Sequence, residues 1–264
     1  MKIALTASTW DFIRLGGEYA GVERVVRDIY ALGLAPELWL NWTPRAATYD
    51  RSNWERLREF IRPSPNLSFH TRNDRGCMFE EIELLAFLGG RVLVVHPCVL
   101  SLAGHKEEQP DLPFVRELAA AARAHGVFLG LENIFGRAFL DRTLAGADTF
   151  DDRGGLGICI DIGHAELRRN DPRESALDLI RDYGPHLLHL HVHDIQDGKD
   201  HLPLGEGTID YAAIAAALRE ADFQGTAVLE IQAEDPLAML KSGIEFLRKR
   251  FGAELTLGAN QPSG

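Results

Sequence analysis

Cysteine is scarce in this chain, and long apolar runs are missing from it. The three cysteines, Cys77, Cys98 and Cys159, are odd in number and widely spaced, which is neither a disulfide framework nor a thiolate zinc site. No apolar run approaches the roughly 20 residues that a membrane helix requires, so no membrane partner is expected. The first run, residues 3–7, is too short for a signal peptide, and a cytoplasmic protein is therefore expected.

Positive charge is also in short supply. The chain carries 28 Lys and Arg against 39 Asp and Glu, for a formal net charge of −11. A protein that grips duplex DNA presents a basic face that displaces counterions, so this balance argues against a nucleic acid partner. The 264 residues lie close to the roughly 250 of one bare (β/α)8 barrel.

Short apolar runs alternate with amphipathic helical segments along the whole chain. Strands that alternate with helices indicate a parallel sheet, and eight such repeats in this length indicate a closed barrel. The sequence therefore predicts a single (β/α)8 TIM barrel over residues 1–257, followed by a disordered tail at 258–264. The predicted strands are 3–7, 37–40, 67–70, 92–96, 127–132, 157–161, 187–191 and 227–230. The predicted helices are 22–32, 54–61, 80–88, 114–125, 175–183, 211–221 and 237–251, with a short one expected within 138–155.

Six consecutive predicted strands, the third to the eighth, each end in a side chain that can bind a metal ion. These side chains are His70, His96, Glu132, Asp161, His191 and Glu230. Because the carboxyl ends of barrel strands face one rim, where active sites form, we expect them to lie together. A single His at a strand end is ordinarily a satisfied polar residue, but six such residues in register favour a metal site.

The residue types indicate which ions this rim would bind. Three carboxylates and one imidazole favour one Mn²⁺, Mg²⁺, Co²⁺ or Zn²⁺ ion over a metal that prefers thiolates. The expected ligands of this principal site are Glu132, Asp161, His191 and Glu230. His70 and His96, bridged by Glu132, could hold a second ion, and two imidazoles would make that position zinc-like. Hydrogen bonding to a substrate is the equal alternative for both histidines.

Four segments of the chain resemble the xylose isomerase-like TIM-barrel superfamily. They are Leu-Glu-Asn at 131–133, Asp-Ile-Gly-His at 161–164, the segment 189–194 and the segment 201–207. The superfamily includes sugar phosphate isomerases and epimerases, ketose 3-epimerases, inosose dehydratases and endonuclease IV. The resemblance implies one metal ion on a Glu, an Asp, a His and a Glu, which match the four principal ligands above.

His189 and His191 in the seventh predicted strand share one strand parity with His193 just after it, so parity does not choose the ligand among them. His191 is favoured over His189 and His193 because it stands three residues before Asp194, which is the H-x-x-D/E spacing of the family.

The resemblance to ketose 3-epimerases also implies an activity. It is the isomerisation or epimerisation of a sugar, sugar phosphate or related polyol by proton transfer through an enediolate. Glu132 and Glu230 would be the catalytic pair, one removing the proton beside the carbonyl and the other returning it. Substrate hydroxyls would be bound by His164, His201, His70 and His96. The expected partner is a small-molecule carbohydrate, and a homodimer stays open because dimers are common among such barrels.

Two other activities of the superfamily stay open as well. An inosose dehydratase-like lyase needs the same ligands, so the sequence does not separate it from an epimerase. An endonuclease IV-like apurinic-site nuclease would need three zinc ions, and its third ion uses an Asp two residues before the residue matching His201. This chain has Lys199 there, and Asp200 is expected to point elsewhere on an extended strand. We therefore expect neither a full three-zinc cluster nor nuclease activity.

Overall fold

Eight parallel strands form a closed barrel, in which each strand pairs with the next along the chain and the eighth pairs back to the first. The computed structural model describes residues 1–9, 22–40, 50–102, 109–147, 151, 154–167 and 172–260. The barrel strands are Lys2–Ser8, Ala35–Trp39, Ser68–His70, Val92–Val95, Phe128–Glu132, Gly155–Asp161, Leu187–Val192 and Gln224–Leu229. Closure places Lys2 opposite Gln224 and Ala7 opposite Leu229. The predicted single (β/α)8 barrel is confirmed.

Helices follow the strands in the alternation that a barrel of parallel strands requires. The described α-helices are Val22–Ala31, Trp54–Arg58, Met78–Phe87, Pro97–Leu100, Leu112–Ala124, Arg137–Gly146, Ile162–Leu167, Ala176–Tyr183, Tyr211–Glu220 and Pro236–Phe251. Several begin at an acidic or hydroxyl side chain that accepts from a free N–H of the first turn. Asp111, Asp210 and Asp235 cap three helices in this way, and Ser175 caps a fourth.

The chain consists of two compact units. One comprises Met1–Glu37 and Ile160–Gly264, and the other comprises Leu38–Cys159. In the first unit Leu5, Ile29 and Leu229 are fully buried, and in the second unit Phe69 and Leu93 are. Both units therefore contain an apolar core that fixes the strand ends carrying the polar side chains described below. None of the described helices combines the length and the apolar character that crossing a membrane requires.

Two elements after the seventh strand break the simple alternation. Strands Asp194–Gln196 and Lys199–Leu202 form an antiparallel hairpin, and Leu255–Leu257 pairs parallel with the first barrel strand. The sequence did not predict either element, because the hairpin strands are largely polar and Leu255–Leu257 has only three residues.

The second strand and the C-terminal tail also differ in position from the sequence-based boundaries. The second strand occupies Ala35–Trp39 rather than 37–40, which places Glu37 in its interior instead of at its start. The tail was expected to be disordered from residue 258 onward. Its first residues, Gly258–Asn260, instead form a 3-10 turn in which the Ala259 N–H donates to the Gly33 carbonyl. Residues 261–264 lie outside the described residues, so the domain boundary stays a prediction.

Candidate metal centre

Two predicted metal ligands converge on one nitrogen of a third, His191. This residue lies in the seventh strand, Asp161 ends the sixth, and Glu230 directly follows the eighth. Nδ1 of His191 is 3.5 Å from Oε2 of Glu230 and 3.9 Å from Oδ2 of Asp161, and all three side chains are buried. Ligands held about 2.0–2.2 Å from a divalent cation lie roughly 3.0–3.5 Å from one another. The three donors therefore fit a cation with a small inward movement.

Glu37, which the sequence reasoning missed, holds the opposite side of the same imidazole. Its Oε1 lies 3.1 Å from Nε2 of His191, and its Oε2 lies 2.9 Å from Nε2 of His189. Burial alone raises the pKa of Glu37, but the attraction and hydrogen bonds of the two histidines outweigh it, and the pKa lies well below its ordinary value. In the sequence, Glu37 could have been noticed as the one carboxylate within the otherwise apolar segment 34–40.

His193 orients Asp161 rather than competing with His191 for an ion. Its Nδ1 accepts from the backbone N–H of His201 at 2.9 Å, so the proton sits on Nε2, which is 2.9 Å from Oδ1 of Asp161. Burial alone lowers the pKa of His193, but the attraction and hydrogen bond of Asp161 more than offset it, so the pKa is raised. Both ring nitrogens are thus engaged, which supports the choice of His191 made from the H-x-x-D spacing.

Two further histidines lie beside proposed ligands, His164 beside Asp161 and His201 beside Glu230. Nδ1 of His164 is 3.0 Å from Oδ2 of Asp161, and the backbone N–H of His164 donates to Oδ1 at 2.7 Å. Nδ1 of His201 lies 3.0 Å from the Glu230 carbonyl, and its ring stacks on His193 with centroids 4.1 Å apart. Burial, followed by the neighbouring His193, lowers the pKa of His201, which favours the neutral imidazole.

The expectation that Asp200 points away from this group is wrong. Oδ2 of Asp200 lies 3.6 Å from Nε2 of His164. The reason is local: His201 has a φ of 53°, so the strand is not regularly extended there, and side-chain alternation does not hold.

Asp194 fixes the loop that carries His201. Its carboxylate accepts from the backbone N–H groups of Ile195 at 3.0 Å, Gly205 at 2.9 Å and Ile209 at 3.1 Å. Nearby, the Tyr211 hydroxyl donates to the His193 carbonyl at 2.7 Å. Burial, with the charge of Asp194, raises the pKa of Tyr211 well above its ordinary value, so the hydroxyl stays a donor.

The second unit contains its own cluster of potential ligands, His70, His96 and Glu132. Oε2 of Glu132 lies 2.9 Å from Nε2 of His96 and 3.4 Å from Nε2 of His70. The other nitrogen of His96 is 3.1 Å from the Asn73 amide, which holds the ring in place. Two imidazoles facing one carboxylate are a donor set that suits zinc, and they equally suit hydrogen bonding to a polar ligand.

A family model described as a xylose isomerase-like TIM barrel matches residues 48–250. The chain belongs to this family. Among solved structures, a D-tagatose 3-epimerase-like protein superposes with a TM-score of 0.68 at 21% identity, covering 94% of this chain and 98% of that one. The IolI protein, solved with a bound zinc atom, gives 0.66 at 16% identity, covering 95% and 100%. These likenesses establish the fold.

Sequence relatives cover less of the chain. An uncharacterized protein of Methanocaldococcus jannaschii is 31% identical over 164 residues, which are 58% of this chain and 55% of that protein. The D-psicose 3-epimerase of Enterocloster bolteae is 31% identical over 120 residues, which are 44% and 37%. The chain thus spans little more than half of the first relative and about a third of the epimerase.

Proposed function

We propose that this protein is a metal-dependent isomerase or epimerase of a sugar, sugar phosphate or related polyol. The observation that carries the proposal is the convergence of Asp161 and Glu230 on Nδ1 of His191, at the carboxyl ends of three consecutive barrel strands. Membership in the xylose isomerase-like family and the names of its relatives, which include a D-psicose 3-epimerase, support a carbohydrate substrate.

The proposal adds Glu132 as the fourth ligand of the ion. Its support is the order of the barrel, because Glu132 ends the fifth strand as Asp161 ends the sixth. The resemblance of the segment 131–133 to the family supplies the rest of the argument. A bound Mn²⁺, Mg²⁺, Co²⁺ or Zn²⁺ would act as a Lewis acid on a substrate carbonyl. In the second unit, His70 and His96 would bind either a second ion or the substrate.

The remaining steps belong to the side chains. One carboxylate of the pair Glu132 and Glu230 takes the proton from the carbon beside the carbonyl. The electrons of that C–H bond form the C=C bond of an enediolate, and the carbonyl π electrons move onto the oxygen. For epimerisation the other carboxylate returns a proton to the opposite face of the same carbon. For isomerisation a proton returns to the former carbonyl carbon, while the hydroxyl proton of the neighbouring carbon passes to the first oxygen. His164 and His201 would hydrogen-bond substrate hydroxyls from the positions they take beside Asp161 and Glu230.

Metal titration tests the proposed binding of a divalent ion. We expect the wild-type protein to bind a divalent ion tightly and Asp161→Ala to lose it, when both are titrated with Mn²⁺ after chelator treatment. His125→Ala is the matched control, because His125 is exposed just past the helix Leu112–Ala124 and belongs to none of the potential ligand clusters among the described residues. Equal binding by Asp161→Ala and the wild type would contradict the proposed site.

A nuclease acting at apurinic sites is the second candidate, and one observation favours it. Asp200 lies beside His164, so an acidic residue is present near the position where Lys199 had argued against a third ion. The net charge of −11 still opposes binding to DNA. We expect no cleavage of abasic duplexes at physiological salt by the metal-loaded protein. Metal-dependent incision that His70→Ala abolishes would establish the nuclease instead.

A further inference from the structure

We propose that Glu37 is the positioning residue of the metal centre. Its single carboxylate fixes the tautomer and the orientation of His191. A second imidazole, itself bonded to a hydroxyl, holds that carboxylate in place. This inference rests on the proposed metal site but not on the identity of the substrate.

The contacts form one buried line of side chains inside the first unit. His191 meets Oε1 of Glu37 through Nε2 at 3.1 Å, and His189 meets Oε2 through its own Nε2 at 2.9 Å. The remaining nitrogen of His189, Nδ1, is hydrogen-bonded to the Thr226 hydroxyl. Glu37, His189 and His191 are fully buried, and Thr226 is buried as well. The line therefore starts at the proposed ligand and ends on the eighth strand.

The protons in this line can be assigned from donor and acceptor chemistry. Nε2 of His189 is hydrogen-bonded to Oε2 of Glu37, and Nε2 of His191 faces Oε1 at 3.1 Å. Carboxylate oxygens are acceptors, so the geometry assigns a hydrogen to each of these two nitrogens. A neutral imidazole has one N–H and one lone pair, so Nδ1 of His191 keeps its lone pair. That is the nitrogen on which Asp161 and Glu230 converge. A histidine that binds a metal through one nitrogen and donates from the other to a carboxylate is held in the binding orientation, and it is a stronger ligand.

The contact between Glu37 and His189 explains why Glu37 itself stays fixed. In the register of the sheet Glu37 lies opposite Ser8 of the first strand, which sets where its side chain starts. Rotation of the carboxylate would break the hydrogen bond from Oε2 to His189 and move Oε1 away from Nε2 of His191, in a place without exposure to solvent. His189 is therefore a support for Glu37, which gives a reason for a second buried histidine on the same face of the seventh strand.

Two variants of Glu37 distinguish the effect of its charge from its effect on the tautomer of His191. In Glu37→Gln the amide oxygen can still accept from His191, while the NH₂ group faces His189, which can change tautomer because the Thr226 hydroxyl both donates and accepts. Glu37→Leu fills similar space but removes both acceptors. We expect Glu37→Leu to weaken Mn²⁺ binding by about 10–100-fold and Glu37→Gln to weaken it less, since partners of this kind typically contribute that factor.

The matched control is Glu81→Gln, which alters a different fully buried carboxylate. Glu81 accepts from the Thr71 hydroxyl at 2.6 Å and from the Arg72 N–H at 3.1 Å, in the second unit. Its loss is expected to lower the melting temperature without changing the Mn²⁺ affinity of the folded protein. If Glu37 had a merely structural role, its variants would likewise melt at a lower temperature and keep their Mn²⁺ affinity. Unchanged affinity in folded Glu37→Gln and Glu37→Leu would therefore overturn the proposal.

One spectrum of the wild-type protein tests the idea without any variant, should Glu37→Leu fail to fold. A long-range ¹H–¹⁵N correlation of the metal-free protein reports which imidazole nitrogen carries hydrogen. We expect His191 as the Nε2–H tautomer, and an Nδ1–H tautomer would refute the assignment. If the wild type itself bound no metal, the proposed function would fail. If it bound metal and His191 were Nδ1–H in the metal-free protein, only the role of Glu37 would fail.

Discussion

Replacing Gly163 by alanine should disturb the metal centre through a single methyl group. A Cβ at this position would lie 2.0 Å from Cε1 and 2.4 Å from Nδ1 of the His193 ring. Carbon atoms in contact prefer about 3.5–4.0 Å, so the ring would have to withdraw by roughly 1.5 Å. His193 is fully buried and is bonded on both nitrogens, to Asp161 and to the His201 N–H, and it cannot withdraw without breaking these bonds.

The expected loss in the free energy of unfolding combines overpacking, broken hydrogen bonds and a gain in helix propensity. Overpacking a filled site costs about 1–3 kcal/mol, and two buried hydrogen bonds contribute about 1 kcal/mol each. Alanine recovers up to about 1 kcal/mol because Gly163 lies in the short helix Ile162–Leu167. The net destabilisation is about 2–4 kcal/mol. For a chain of this size that corresponds to a melting temperature lower by roughly 5–15 °C.

Thermal melting and Mn²⁺ titration of Gly163→Ala measure both consequences. Mn²⁺ affinity should fall as well, because His193 would no longer orient Asp161. Gly76→Ala is the control: among the described residues the new Cβ would meet Oδ1 of Asp74 alone, at 3.4 Å, which is an ordinary contact. We expect that variant to stay within about 0.5 kcal/mol of the wild type. If Gly163→Ala melted like Gly76→Ala and bound Mn²⁺ like the wild type, the described packing of His193 would be incorrect.

Two further substitutions probe the supports of the site. Asp194→Ala leaves three backbone N–H groups without their acceptor and should cost about 3 kcal/mol or more, measured by urea unfolding; a loss below about 1 kcal/mol would show that the loop does not depend on this carboxylate. Tyr211→Phe removes one buried hydrogen bond to the His193 carbonyl and should cost about 1–2 kcal/mol, with Mn²⁺ affinity unchanged. A large loss of affinity in Tyr211→Phe would mean that the backbone at His193 is held by this hydroxyl alone.

The strand ends could be predicted from the sequence because one physical rule covers them all. Parallel barrel strands run in the same direction, so a carboxylate or imidazole at each carboxyl end reaches the same rim. In the structure Asp161 and Glu230 lie near His191, and His70 and His96 lie near Glu132.

The rest depended on contacts that periodicity does not encode. Glu37 was missed because the second strand was predicted two residues late, and because its partners lie 152 and more residues away in the chain. Asp200 was placed on the wrong side because a positive φ at His201 interrupts the alternation. Gly163 was recognised as part of a motif, but its reason, the ring of His193, comes from another strand.

Proton exchange with solvent tests the central claim most directly. A ketose substrate turned over by the metal-loaded protein in D₂O should gain deuterium on the carbon beside its carbonyl, because a carboxylate removes and returns that proton. Glu230→Gln should stop the incorporation while the Asp161 and His191 side chains remain in place. Turnover across several ketoses and keto-polyols without any solvent deuterium would contradict the account and favour a hydride shift, and loss of water from the product would identify a lyase.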